Sequence, residues 1–328
     1  GVPLVGALIG RKVVRSSPGH RRFQAAMLLL LAMTPFFVVI GAMLRSRHNQ
    51  LMPAQVVVAG GVDRGVYNEI SSTIAARLKA ATDVPASMVE TGGSEDNRER
   101  LLSRQVDLAP MQASSINSDQ LCVVAPLFDE AAHLLVHPTE TTGTPEILDF
   151  EFVLGKPIAV GPEQSGSRQT ADMILESLEL SPQDCPRQVI SWNELGSPDA
   201  PSVALICVGR GSPLVADLLQ TGWQLIPIPQ TGKILREHPT LKRAEIEPTH
   251  YAGADIPPQG VETVGMTAFL AARRDAPSAL VEATLDVLYQ PPEIISEMIT
   301  RKSAAEWQQL DLHHTARHYY ASLRAEEE

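Results

Sequence analysis

Residues 157–178 read PIAVGPEQSGSRQTADMILESL. A short apolar run enters a polar loop with two glycines. Ala171, Ile174, Leu175 and Leu178 then recur at the i, i+3, i+4, i+7 spacing of one helix face. Residues 56–78, VVVAGGVDRGVYNEISSTIAARL, follow the same plan earlier in the chain. With Gly60 set over Gly161, Gly65 falls on Gly166, Tyr67 on Arg168 and Ile74 on Leu175. Two strand–loop–helix units of one design imply two similar α/β lobes.

The flanking segments extend the pattern. Strands are expected at 84–93 (VPASMVETGG), 106–114 (VDLAPMQAS), 121–128 (LCVVAPLF) and 132–138 (AHLLVHP), with a helix from Ser94 as N-cap. A second set follows at 157–161, 188–192 (QVISW), 203–209 (VALICVG) and 224–229 (QLIPIP). Between the last two, 212–222 reads as a helix with Pro213 in its first turn and Gly222 at its stop. Strands alternating with helices predict a parallel, doubly wound sheet. Residues 261–273 (VETVGMTAFLAAR) carry the chain back, and 278–290, 293–310 and 313–328 read as helices.

Charge is distributed unevenly. Of 27 Lys and Arg, seven lie in the first fifty residues, which hold no Asp or Glu. All 38 acidic residues therefore lie beyond, opposed by twenty basic ones, and such a body does not track a nucleic-acid backbone. Residues 25–44, AAMLLLLAMTPFFVVIGAML, carry no charge and have the length of a membrane span. Five Lys/Arg before it orient the N-terminus to the cytoplasm. Arg45 and Arg47 stand where a signal peptide would offer small residues for cleavage, so a retained anchor is expected. Cys122, Cys185 and Cys207 lack metal or redox spacing.

A family likeness rests on nine segments in order. They are GGVDRGVYNEI, TGGSEDNRERL, DLAPMQAS, PLFDEAAHLLV, GKPIAVGPEQSGSRQTADMILESL, VALICVGRGSPLVADLL, LIPI, TVGMTAFLAAR and LHHTARHYY. Together they resemble the TAXI family of solute-binding proteins, which serve TRAP-type transporters. The resemblance covers about residues 55–320. It implies a type II periplasmic-binding-protein-like fold with two lobes and a hinge, here preceded by a transmembrane helix. The implied division is a cytoplasmic segment 1–24, a span 25–44, a linker 45–54, a first lobe of 55–136 with 265–328, and a second lobe of 137–264. It also implies a small organic anion as ligand, a dicarboxylate or acidic amino acid such as glutamate or 2-oxoglutarate. The implied partner is a TRAP-type permease, and the implied location is the periplasmic face of the cytoplasmic membrane. A sensory module signalling to a membrane partner fits the same pattern. Within the first loop the chain departs from the family, with Gly60 at a Thr position, Arg64 at a Gly, Asn68 at a Tyr and Glu69 at a Pro.

Candidate ligand-binding residues follow from loop chemistry. Ser165, Gly166 and Ser167 sit at a helix start, where backbone N–H groups lack intrahelical partners and attract anions. Arg168 adds a guanidinium fork for a carboxylate, or simply points to solvent. In the first loop, Gly60 allows backbone approach. Tyr67 offers a ring and a hydroxyl, and Arg64 either clasps a second carboxylate or is solvated. Ser94 and Asn97 can present donors at another helix start or serve as caps. Gln112 puts an amide at a strand end, and Tyr251 precedes the return crossing. His314 and His318 have i,i+4 spacing but lack the Glu of an H-E-x-x-H site. No nucleophile elbow, phosphate loop or dinucleotide fingerprint occurs, so neither an enzyme, a metal nor a cofactor is expected.

Overall fold

The two helices of the repeat bury their apolar faces in different places. In helix α1 (Val66–Thr82), Ile70, Ile74, Ala75 and Leu78 enter one cluster with Val58, Phe128, Leu280 and Tyr320. Pack-mates of Ala171, Ile174 and Leu175 are instead Leu134, Val136, Ile158 and Val203. Each buried Ile or Leu contributes about 1.5–3 kcal/mol, so each unit anchors its own packing centre. A third cluster, around Trp192, Ile206, Trp223 and Tyr251, lies beside the second centre in sequence terms, and a small fourth one joins Leu101, Met111 and Ala271.

The structure is a computed structural model that describes residues 27, 31, 33–37, 40, 43, 51–62, 65–137, 150–307 and 311–327. Most of the expected span 25–44, all of 1–24, most of the linker and Arg64 lie outside the described residues. Among the described residues no helix is long and apolar enough to cross a membrane. Leu51–Glu328 form one compact unit.

One ten-stranded sheet runs through this unit in the order β2-β1-β3-β10-β4-β7-β5-β6, with β8 beside β4 and β9 beside β10. The strands are β1 Val56–Ala59, β2 Ala86–Val89, β3 Leu108–Gln112, β4 Leu121–Val136, β5 Ile158–Ala159, β6 Arg187–Gln188, β7 Val203–Gly209, β8 Gln224–Ile226, β9 Lys242–Ile246 and β10 Val261–Arg273. The other helices are α2 Ser94–Leu102, α3 Gly166–Ser177, α4 Pro213–Gln220, α5 Thr231–Glu237, α6 Ser278–Leu288, α7 Arg301–Ala305 and α8 His314–Glu327.

The sheet is mixed, not purely parallel. β1 pairs parallel with β2 and β3, and β5 with β6 and β7, as expected of each repeat. Between these groups β10 and β4 run antiparallel to their neighbours. The segments 121–128 and 132–138, read as two strands, are one strand of 16 residues. Asp129 and Glu130 looked like a break, but Asp129 pairs with Lys242 of β9 and with Thr267 of β10 (2.8 Å), while Glu130 is taken inside. β4 and β10 both cross from one packing centre to the other, and the expected boundary at 264/265 falls inside β10.

Three further elements differ from expectation. Only Arg187–Gln188 of the QVISW region pairs as strand, because Ser191 caps a 3-10 turn at Trp192–Glu194. Within 293–310 only Arg301–Ala305 is helical among the described residues, since Ile299 N–H donates to Leu127 O of β4 (2.7 Å) rather than to a helical carbonyl. Helix α5 and strand β9 had no counterpart in the sequence reading.

Candidate ligand-binding site

The first glycine loop is held by buried amide chemistry. Asn97 lies in α2, fully buried, and its Nδ2 donates to Gly60 O (2.8 Å) and Pro110 O (2.7 Å). Thr91 Oγ1 also donates to Gly60 O (3.1 Å), and Gly61 N–H donates to Asn68 Oδ1 (2.7 Å). Asn97 thus ties the end of β1 at Gly60 to the middle of β3, and neither Gly60 nor Asn97 lines the cavity described below. Ser94 does not cap α2. Gly93, at φ 115°, holds the cap position, and Ser94 Oγ accepts from Gln112 N–H (3.1 Å).

In the second loop Gly161 has φ 89°, and a Cβ there would run into the Trp192 indole. Glycine therefore both turns the chain and seats the tryptophan. Ser165, rather than Ser167, caps α3, accepting from Arg168 N–H (3.2 Å). Ser167 Oγ accepts from Cys207 N–H (2.8 Å), stitching α3 to β7.

The starts of α2 and α3 meet. Glu95 N–H donates to Gln164 O (3.2 Å), and Ser114 Oγ donates to Gln169 Oε1 (2.8 Å). A Cβ at Gly166 would sit 2.5 Å from Gln112 Oε1 and 2.6 Å from Ser94 Oγ, so only glycine permits this approach.

Between the loops lies a cavity of about 80 Å³, lined by Tyr67, Ser94, Gln112, Glu130, Gly166 and Ser167, with Trp192 and Cys207 at its walls. Gln112 organises it: Oε1 accepts from Thr170 Oγ1 (3.0 Å) and Nε2 donates to Glu130 Oε2. Glu130 is 5 % exposed, and burial, reinforced by Asp129, pushes its carboxyl up to about 7 against the opposing pull of the Gln112 hydrogen bond. Cys207 Sγ stands 4.0 Å from the same oxygen, and burial drives that thiol upward as well. The Tyr67 hydroxyl is buried close enough to Glu130 and Ser94 for both to bear on its acidity. In geometry it makes no hydrogen bond among the described residues. An unpartnered buried hydroxyl carries a desolvation cost that a polar ligand can relieve. Gly166 and Ser167 N–H belong to the group that a helix start leaves without intrahelical partners.

Of the expected residues, Tyr67, Ser94, Gln112, Ser165, Gly166 and Ser167 line this cavity. Arg168 does not. Its guanidinium lies 3.7 Å from both Glu163 and Asp172 on the outer side of α3. Tyr251 is core, its hydroxyl 2.7 Å from Nε2 of the buried His133. His313 is also buried, its Nε2 3.2 Å from Ala276 O. Among the described residues no group of side chains is arranged to hold a metal ion. Glu130, Trp192 and Cys207 were not foreseen. The usable signal was the acidic pair of PLFDEAAHLLV, a carboxylate within an otherwise apolar strand.

A family model described as NMT1-like matches residues 58–322, nearly the stretch over which the TAXI likeness runs. The chain belongs to the NMT1-like family. No curated protein matches this NMT1-like chain by sequence. Among solved structures it is similar to the effector-binding domain of a BenM variant, at 11 % identity and TM-score 0.48, covering 76 % of this chain and 100 % of that one. The effector-binding domain of QuiR in complex with shikimate is similar at 10 % identity and TM-score 0.47, with 71 % and 94 % covered. The GluR0 ligand-binding core in complex with L-glutamate follows at 10 % identity and TM-score 0.44, with 73 % and 93 % covered.

Proposed function

We propose that this NMT1-like protein is a solute-binding protein that captures a small organic anion between its two glycine loops. The observation that carries this reading is the convergence of Tyr67, Gln112, Glu130 and the start of α3 on one cavity. There a ligand carboxylate would meet the N–H groups of Gly166 and Ser167 and the Tyr67 hydroxyl. Glu130, whose carboxyl holds its proton up to about 7, would donate a hydrogen bond rather than repel the anion. Ligand contacts on both loops would favour the arrangement in which α2 and α3 touch, so binding and closure are linked.

The delivery step in this proposal rests on the TAXI resemblance: a TRAP-type permease would receive the solute at the outer face of the cytoplasmic membrane. Thermal unfolding of the full chain across a panel of carboxylates and amino acids tests the binding step. A ligand at a hundredfold excess over Kd adds about 2.7 kcal/mol, a readily visible shift. Absence of any shift at millimolar concentrations would remove the reading. Co-purification of the chain with large multi-spanning membrane subunits tests the delivery step.

A further inference from the structure

The polar cavity adjoins a larger chamber of about 450 Å³, and Trp192 and Val208 stand in the walls of both. A cavity of about 80 Å³ holds an acid group and little more, whereas the chamber falls within the range of about 300–1,000 Å³ typical of ligand pockets. The rest of a ligand anchored by its carboxylate therefore meets the chamber walls, and these are of two kinds. Trp192 and Trp223, both buried, supply aromatic surface. Asn193, Asp217, Thr221 and His137 supply one carboxylate and three groups that each donate and accept hydrogen bonds. His137 packs T-shaped against Trp223, ring centroids 5.4 Å apart, so a polar group adjoins the aromatic wall.

That mixture disfavours three kinds of ligand body. A hydrocarbon chain would cover the polar groups without pairing them. A second carboxylate would face Asp217, and among the described residues no Lys or Arg lines the chamber to offset the repulsion. An ammonium group only donates, so it would leave the donors of Asn193, Thr221 and His137 unmatched, and Asp217 is exposed, where an ion pair gains little. A hydroxylated carbon skeleton suits both kinds of wall, because its C–H faces cover indole while its hydroxyls donate to Asp217 and accept from Asn193 or Thr221. We infer that the ligand is a polyhydroxylated monocarboxylate, with its acid group in the polar cavity and its hydroxyl-bearing carbons in the chamber lined by Trp192 and Trp223. This rests on the proposed function and narrows its ligand class, away from the dicarboxylates and acidic amino acids that the TAXI likeness implies.

Calorimetry of the full chain with propanoate and with a set of six-carbon acids tests the inference. The set is hexanoate, adipate, 6-aminohexanoate, gluconate and galacturonate. At least one of the two hydroxylated acids should bind at least tenfold tighter than every other member, a factor equivalent to about 1.4 kcal/mol. Asp217→Ala should bring that acid down towards hexanoate, and melting of the variant checks that it is folded. Because the ranking is read first on the unsubstituted protein, the test does not depend on the variant. Hexanoate, adipate or 6-aminohexanoate binding as tightly as the hydroxylated acids would overturn the inference and leave carboxylate capture standing. Propanoate binding while no six-carbon acid binds would do the same. No binding by any acid of the set would overturn both.

Discussion

At Glu130 a carboxyl group sits inside a strand, between Met266 on one neighbour and Gly209 on the other. Its ordinary value of 4.5 rises to about 7 in the fold, chiefly through burial. Between those values the folded protein holds a proton that the unfolded chain has released. The stabilising contribution is therefore complete below about 4.5 and is lost as pH rises through 7. Melting temperatures taken from pH 4.5 to 8 should show this loss, and Glu130→Gln should remove it. His133 and His313 act in the opposite sense. Burial lowers both to about 4, so stability falls as pH drops from 6.5 towards 4, in parent and variant alike. Anion affinity should also weaken above pH 7 in the parent, as Glu130 ionises. Asn97 makes a second residue-scale case. Asn97→Ala leaves two buried carbonyls, Gly60 O and Pro110 O, without that donor, and should cost about 1–3 kcal/mol by denaturant unfolding. Sequence alone showed that Asn97 belongs near a helix start. It did not show that the amide turns inward, because its acceptors come from β1 and β3, distant in the chain.

Among the elements, the start of α3 governs how closely the loops approach. Gly166→Ala keeps an ordinary helix residue but introduces a Cβ against Gln112 and Ser94. It should lower ligand affinity at least tenfold, about 1.4 kcal/mol, and also lower the melting temperature of the free protein, because the buried Gln112 and Ser94 must shift. Calorimetry alongside melting separates the two effects. Arg168→Met should leave affinity as it is. That side chain makes only loose ion pairs with Glu163 and Asp172 away from the cavity, of a kind worth about 0–1 kcal/mol. The repeat made both helices legible, since their apolar spacing is strong and each buries a full face. It could not tell which side of the loop Arg168 takes, because that depends on Asp172 one turn further along. β4 was misread for a related reason. A pair of acids in an apolar run resembles a turn until β9 supplies Lys242 and Gln112 supplies an amide.

For Leu51–Glu328 as a whole, the α/β character and the doubled plan were legible, but the antiparallel centre was not. Strand direction at β4 and β10 depends on pairing between segments more than a hundred residues apart, which no local pattern records. Beyond the loops, Arg210 and His250 lie 3.1 Å and 3.3 Å from Glu297, joining the end of β7 and the turn after β9 to the segment before α7. If hinge motion accompanies binding, Glu297→Gln should enlarge the radius of the free full chain in X-ray scattering, and saturating ligand should restore it. A radius equal to the parent's would assign the triad to local packing. β4 and β10 also bear on how the molecule can be divided. Each packing centre borrows part of both strands, so neither half exists as a separable module. A fragment cut at either crossing would carry long, apolar, unpaired strand edges, which invite aggregation. Recombining one half with a relative's other half would therefore have to exchange the two strands whole, and new specificities would be sought by altering the loops around an intact pair.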